Sequence, residues 1–174
     1  MIYSLRVPKG KSMYQLFIFD FDGTLADTRE CVTSSFQASL EKARLPLVPQ
    51  EKIIHLMGLP LKEVYKSLLG ATYEDYFYES LIRCYREYYT EFLPTKTHLY
   101  DGIEDILSSL KRRKRLCTIA TSKKTALAAL NAKYLGIHKY FDLVIGDDAV
   151  SLKKPHPEMV LHTLEELQIL DKSK

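Results

Sequence analysis

What most constrains this chain is a change of rhythm along it. Leu16-Phe17-Ile18-Phe19 is a short, aromatic-rich apolar run that stops at Asp20, as a buried strand does where it breaks into a loop. From Thr28 to about Phe92 the spacing becomes helical: Val32, Phe36 and Leu40 recur at every fourth position, then Ile53, Ile54 and Met57, then Leu61, Val64 and Leu68. Gly58 and Gly70 stand where helices are expected to end. Beyond Phe92 strand and helix alternate. Asp101-Gly102-Ile103-Glu104 predicts a capping-box start for a helix that ends near Arg113. Leu116 to Thr121 reads as a strand, Lys124 to Leu135 as a helix closed by Gly136, and Phe141 to Ile145 as another strand. Pro157 then opens a last helix with Val160, Leu164 and Leu167 on one face.

A strand, a helical insertion, and then helix and strand in alternation make the grammar of a parallel sheet wrapped by helices. The expected class is α/β, with a Rossmann-like core built from 1–27 and 94–174 around an all-helical insertion, 28–93. In such sheets ligands bind beyond the carboxyl ends of the strands. Asp20, Thr121 and, just past the third strand, Lys154 fall there.

Composition narrows the class. A length of 174 residues with 46% hydrophobic content suits one domain with a modest insertion. Twenty-five basic against 22 acidic side chains give a formal charge of +3, so charge alone argues for no nucleic-acid partner. The basic run Lys111 to Arg115 follows an apolar helical pattern, which is where a helix C-terminus favours cations. Cys31, Cys84 and Cys117 are odd in number and far apart, which predicts buried, idle thiols rather than a disulfide framework or a metal knuckle. No apolar run is long enough to span a membrane and no secretory leader is evident, so the expectation is a cytoplasmic protein without a membrane partner. The aromatic residues Tyr73, Tyr76, Phe77, Tyr78, Tyr85, Tyr88 and Tyr89 read mainly as a packed helix face, with a stacking platform for a ligand as the alternative.

The chemistry is concentrated in three short motifs. Asp20-Phe21-Asp22-Gly23-Thr24 sets two carboxylates two positions apart where a strand ends, with a glycine that permits a tight turn and the close approach of a ligand. One carboxylate can attack while the other handles protons; the alternative is that Asp22 merely caps the turn. Thr121-Ser122-Lys123 offers a hydroxyl and backbone amides to anionic oxygens, although strand-terminal hydroxyls often only satisfy their own turn. Lys154-Pro155-His156-Pro157 carries an ammonium on a proline-stiffened segment, with Lys153 expected to be solvated and His156 a spacer.

Together these motifs closely resemble those of the haloacid dehalogenase-like hydrolases, in the subgroup with a helical cap after the first motif. Phe19 to Thr28 looks like the first motif, Ala120-Thr121-Ser122-Lys123 the second and Lys154 to Pro157 the third. Tyr100-Asp101-Gly102 and Gly58-Leu59-Pro60-Leu61 look like phosphoglycolate phosphatase and pyrophosphatase relatives. The resemblance implies a phosphatase in which Asp20 takes up the phosphoryl group as an aspartyl-phosphate that water then hydrolyses. It implies that Asp22 protonates the leaving oxygen and later activates the water, the nearby charge of Asp20 favouring the protonated form needed first. Thr121 and Lys154 would complete the catalytic set, Gly23, Thr24 and Ser122 would bind substrate, and Mg2+ would sit on the Asp20 carboxylate and the Asp22 backbone carbonyl. Dehalogenation is disfavoured, because relatives that cleave carbon–halogen bonds lack the second acidic residue.

A fourth motif, an acidic loop on a further strand, is expected after the third, yet the sequence ends at Lys174. Leu167 to Lys174 reads as the end of a helix and the approach to that strand, so the last core strands are expected to be missing. Gly146-Asp147-Asp148 resembles the fourth motif locally but precedes Lys154 and so falls on the wrong strand. An absent neighbour would leave the strand ending at Phe19 with an open edge, available for dimerisation or covered by Ile2 to Val7. The expected substrate is a small phosphorylated metabolite, most plausibly phosphoglycolate. Two alternatives are a catalytically impaired remnant that binds phosphate or a partner, and a β-phosphoglucomutase-like phosphotransferase.

Overall fold

The computed structural model describes residues 3–6, 14–70 and 75–169. It divides into two compact units, 1–26 with 99–174 and, between them in sequence, 27–98.

The first unit is built on a four-stranded sheet. Its strands are β1 (Tyr3–Arg6), β2 (Tyr14–Phe19), β5 (Leu116–Ala120) and β6 (Leu143–Ile145), in the order β1-β2-β5-β6. β2, β5 and β6 run parallel, with Leu16 opposite Leu116, Phe19 opposite Ile119 and Ala120 opposite Ile145. That register brings the carboxyl ends of three strands level. Side-chain parity then sorts the sheet into two cores. Phe19, Cys117 and Ile119 are buried with Leu107 of α5 (Ile103–Arg112) and Ala132 of α6 (Thr125–Tyr134). Leu16, Ile18, Ala120 and Ile145 are buried with Met159 of α7 (Glu158–Glu166), against which Val160, Leu164 and Leu167 also pack. Burial of both sheet faces is why these strands read as continuous apolar runs.

β1 makes the sheet mixed. It pairs antiparallel with β2, Tyr3 opposite Ile18 and Arg6 opposite Tyr14, and so lies along the β2 edge away from β5, where the expectation placed a covering segment. Residues 170–174, where the approach to a further strand was expected, lie outside the described residues.

The second unit is helical: α1 (Arg29–Lys42), α2 (Gln50–His55), α3 (Leu61–Leu69) and α4 (Asp75–Lys96). Val32, Phe36 and Leu40 are buried as their spacing requires, and so are Ile53 and Val64. The Phe36 ring centroid lies 4.9 Å from that of Tyr65 and 4.7 Å from that of Tyr85, so the aromatic stretch contributes core through Tyr85 and Tyr89. Tyr76, at 71% exposure, does not, and Tyr73 lies outside the described residues. Tyr65 donates or accepts a 2.6 Å hydrogen bond with Ser39, and burial pushes its phenol well above the usual range. Two short strands, β3 (Ala26–Asp27) and β4 (His98–Leu99), pair with each other.

Several local expectations are corrected. Ile54 is exposed despite the helical spacing. α4 continues past Phe92 to Lys96, with Pro94 inside its last turn. The capping box at Asp101 does not form: Gly102, at φ 79°, precedes α5 with no side-chain cap, and the Ile103 amide donates instead to the Tyr100 carbonyl. Cys31, Cys84 and Cys117 are, as expected, buried and outside any disulfide, and burial pushes the Cys117 thiol up to about 11. Of the basic run, Lys111 pairs with Asp142 at 2.8 Å, and the Asp142 carboxylate also accepts the Cys117 amide, tying the start of β6 to β5. Among the described residues, no helix is long and apolar enough to cross a membrane.

Candidate active site

Asp20 follows β2 directly, and Lys154 reaches it from the loop before α7. The Lys154 ammonium lies 3.1 Å from Asp20 Oδ1 and donates to the Ala120 carbonyl at 2.8 Å, so one cation bridges the ends of β2 and β5. The Phe21 amide donates to the same Oδ1 at 2.7 Å. Both bonds fall on Oδ1, which leaves Oδ2 of Asp20 without a protein partner among the described residues.

The turn after Asp20 winds around Phe21, which is fully buried. The amides of Thr24, Leu25 and Ala26 all donate to the Phe21 carbonyl, and the Gly23 amide donates to Ala26. Gly23 adopts φ +71°, a left-handed conformation that costs a residue with a Cβ energy, and this is the physical reason for glycine at that position. The amides of Gly23 and Thr24 are thus hydrogen-bonded within the turn itself, to the Ala26 and Phe21 carbonyls.

Thr121 is 1% exposed, its amide donates to Ile145 at the end of β6, and its Oγ1 accepts the Lys123 amide at 3.3 Å. Of the tripeptide, the exposed Ser122 is the residue whose amide meets no protein acceptor among the described residues.

The sequence alone assigns Lys123 no role of its own. Its ammonium lies 2.7 Å from Asp22 Oδ1, with the lysine side chain 10% exposed. A cation therefore faces Asp22, in addition to the neighbouring carboxylate that the sequence reading weighed. No local signal marks this contact, because it depends on the β2–β5 register and not on either motif alone.

Gly146-Asp147-Asp148 turns out to be a joint between loops. Asp147 stands between Lys124 at 2.9 Å and Lys153 at 3.0 Å, so Lys153 is paired and not simply solvated, and the Asp147 amide donates to the Lys123 carbonyl. Asp148 Oδ1 accepts both the amide (2.7 Å) and the hydroxyl (2.8 Å) of Thr125, the first residue of α6. Burial alone would raise the Asp148 carboxyl, but those Thr125 bonds outweigh it and hold it below its ordinary value. Near Lys154, Glu158 accepts the amides of Ser151 and Leu152, which lowers its carboxyl, and His156 Nδ1 accepts the Glu158 amide.

Among the described residues, no group of three or more His, Cys, Asp and Glu side chains converges on a metal-sized space. The donors at the end of β2, the Asp20 carboxylate and backbone carbonyls, are hard oxygens. They fit a magnesium ion that keeps most of its waters and shares a substrate phosphate, not one held in a closed protein cage.

Comparisons with known proteins show the family. Residues 17–173 match the family model described as haloacid dehalogenase-like hydrolase. The chain belongs to that family. It is 36% identical over 157 residues to "Probable phosphatase IndB" of Dickeya dadantii, covering 89% of this chain and 68% of that one. Pyrophosphatase PpaX of Bacillus pumilus is 28% identical over 157 residues, covering 90% of this chain and 70% of the relative. Among solved structures, a haloacid dehalogenase-like family hydrolase from Streptococcus pneumoniae superposes with a TM-score of 0.72 at 27% identity, covering 88% of this chain and 69% of that one. The α/β fold with its parallel strands is thus the family's, and the two curated relatives named above carry names that denote hydrolysis of phosphate bonds.

Proposed function

We propose that this haloacid dehalogenase-like hydrolase is a phosphatase that transfers the phosphoryl group of a small phosphorylated metabolite to Asp20 and then to water. The observation that carries the reading is Lys154 joining Asp20 Oδ1 to the Ala120 carbonyl at the level ends of two parallel strands. A carboxylate whose Oδ1 is anchored by an ammonium and an amide presents Oδ2 outward as a nucleophile in a fixed orientation.

In the first step Asp20 Oδ2 bonds to phosphorus while the bond to the ester oxygen breaks, and Asp22 gives that oxygen a proton. In the second, water attacks phosphorus, Asp22 takes the water's proton, and the phosphorus–Oδ2 bond breaks to release inorganic phosphate and restore the carboxylate. The Thr121 hydroxyl and the Ser122 amide serve the phosphoryl oxygens, and Lys154 offsets the charge that builds on them. Magnesium, held by Asp20 and the Asp22 carbonyl when bound, would neutralise phosphoryl charge.

A phosphoglycolate-like substrate is supported by the Tyr100-Asp101-Gly102 and Gly58-Leu59-Pro60-Leu61 resemblances and by relatives named phosphatase and pyrophosphatase. Tyr100 is also anchored beside the first motif, its amide donating to the Leu25 carbonyl at 3.1 Å. Water is favoured as final acceptor over a sugar hydroxyl because those names denote hydrolysis.

Hydrolysis of a generic aryl phosphate with and without magnesium tests the reading. Metal-dependent turnover that Asp20→Asn reduces by at least roughly 1,000-fold is the expected result, since the nucleophile itself is lost. Turnover that survives in Asp20→Asn would remove Asp20 from the mechanism.

A further inference from the structure

We infer that Lys123 is a positioning residue for Asp22: its ammonium holds that carboxylate in the orientation from which protons are exchanged with the leaving oxygen and the attacking water. This deepens the acid–base reading of Asp22 given above and rests on it.

Three features make Lys123 a fixed post. Its side chain is 10% exposed and its Nζ lies 2.7 Å from Asp22 Oδ1, whereas a lysine with no structural partner normally carries its ammonium out into water. Its amide donates to Thr121 Oγ1 and its carbonyl accepts the Asp147 amide at 2.8 Å. The same carbonyl lies against Gly146 so closely that a Cβ there would come within 2.4 Å of it. The backbone that carries Lys123 is therefore clamped between the ends of β5 and β6.

The other ammonium groups at this end of the sheet are committed elsewhere. Lys154 serves Asp20 and the Ala120 carbonyl, while Lys124 and Lys153 share Asp147. Lys123 is paired with Asp22. Asp22 needs such a post because it sits beyond the strand, at 26% side-chain exposure, on a turn that hinges at Gly23. A carboxylate placed there has several rotamers, and a charge-assisted bond to a fixed ammonium selects one of them. Misplacement of a proton-transferring group by about 1 Å can cost on the order of 100-fold in rate.

The test uses the full chain, magnesium and para-nitrophenyl phosphate. Lys123→Met keeps the aliphatic stem and removes the charge, while Lys123→Arg restores a cation. The expected result is a kcat lowered on the order of 10- to 100-fold in Lys123→Met with KM within about twofold, and recovery of most of the loss in Lys123→Arg. In an Asp22→Asn background, Lys123→Met should cost nothing further, because both changes act through one group. An unchanged kcat, a loss confined to KM, or an undiminished loss in the Asp22→Asn background would overturn the inference.

A crystal structure of Lys123→Met, or of Lys123→Arg if the first does not fold, gives a readout independent of turnover. Displacement of the Asp22 carboxylate in the Met variant, or its retention on the guanidinium in the Arg variant, supports the inference. A carboxylate that ignores either change refutes it. Full activity of Asp22→Asn would instead sink the acid–base role, so the two failures are distinguishable.

Discussion

Asp148 takes no part in the proposed reaction, yet it fixes where the reacting loop begins. Its carboxylate serves the amide and hydroxyl of Thr125, satisfying an orphan donor at the start of α6, and Thr125 Oγ1 in turn accepts the Gly146 amide. Asp148→Ala is expected to cost about 1 kcal/mol at neutral pH, measured by urea unfolding. The pH dependence follows from the sign of the shift. A carboxyl held lower in the folded state than in the unfolded chain contributes fully above the unfolded value of about 3.9, and the contribution fades as pH falls through the folded value. The wild type and the variant should therefore converge in stability on acidification below about pH 4; a gap that stays constant would contradict this role. Asp148 also shows why part of the site was legible in the sequence and part was not. Asp20, Thr121 and Lys154 were readable because strand ends in a parallel sheet are where ligands bind, and each motif stands at one. Lys123 was not, since a lysine in a loop looks solvated until its ion pair is seen. Gly146-Asp147-Asp148 resembles the fourth motif only locally and falls on the wrong strand for it, while its role as a joint between loops depends on tertiary contacts that short acidic motifs do not reveal.

At the scale of elements, the level ends of β2, β5 and β6 place the site, and two junctions keep them level. Gly146 ends β6 with no room for a side chain: a Cβ would meet the Thr125 amide nitrogen at 2.2 Å and the Lys123 carbonyl oxygen at 2.4 Å, all of it backbone. Gly146→Ala should therefore destabilise the protein by about 1–3 kcal/mol or more and lower turnover, since the shift lands on the peptides of Lys123 and Thr125. Wild-type stability and rate in that variant would show that the loop has slack. The other junction is β1 on β2. Removing residues 1–12 uncovers three paired positions of β2, and about 2 kcal/mol of stability should go with them. Hydrogen exchange is the direct readout: the β2 amides should lose protection, and unchanged protection would mean that β1 adds nothing to the sheet. The parallel core was legible from apolar runs buried on both faces, but the pairing of β1 rested on strand propensity alone. The capping box failed at Asp101 because Gly102 takes a positive φ, a backbone choice that the pattern of acidic residues does not reveal.

At the scale of the whole molecule, labour is divided within the first unit. A sheet covered on both faces supplies rigidity, the loops beyond its strand ends supply charge, and in the proposed reaction the pairing of lysines with aspartates leaves Oδ2 of Asp20 to react. The helical unit, with its buried Phe36, Tyr65, Tyr85 and Tyr89, was readable as helical from periodicity, whereas the side chains that select a substrate follow from tertiary placement and have no sequence signature. Every step of the proposed chemistry passes through a covalent phosphoryl group on a single residue. Acid-quenching the enzyme during turnover of an aryl phosphate, reducing it with borohydride and mapping the product by mass spectrometry shows where that group resides, because an acyl-phosphate is reduced to an alcohol while free carboxylates are not. Conversion of Asp20, and of no other residue, to homoserine is the predicted result. Conversion at Asp22, or none under conditions of steady turnover, would contradict it.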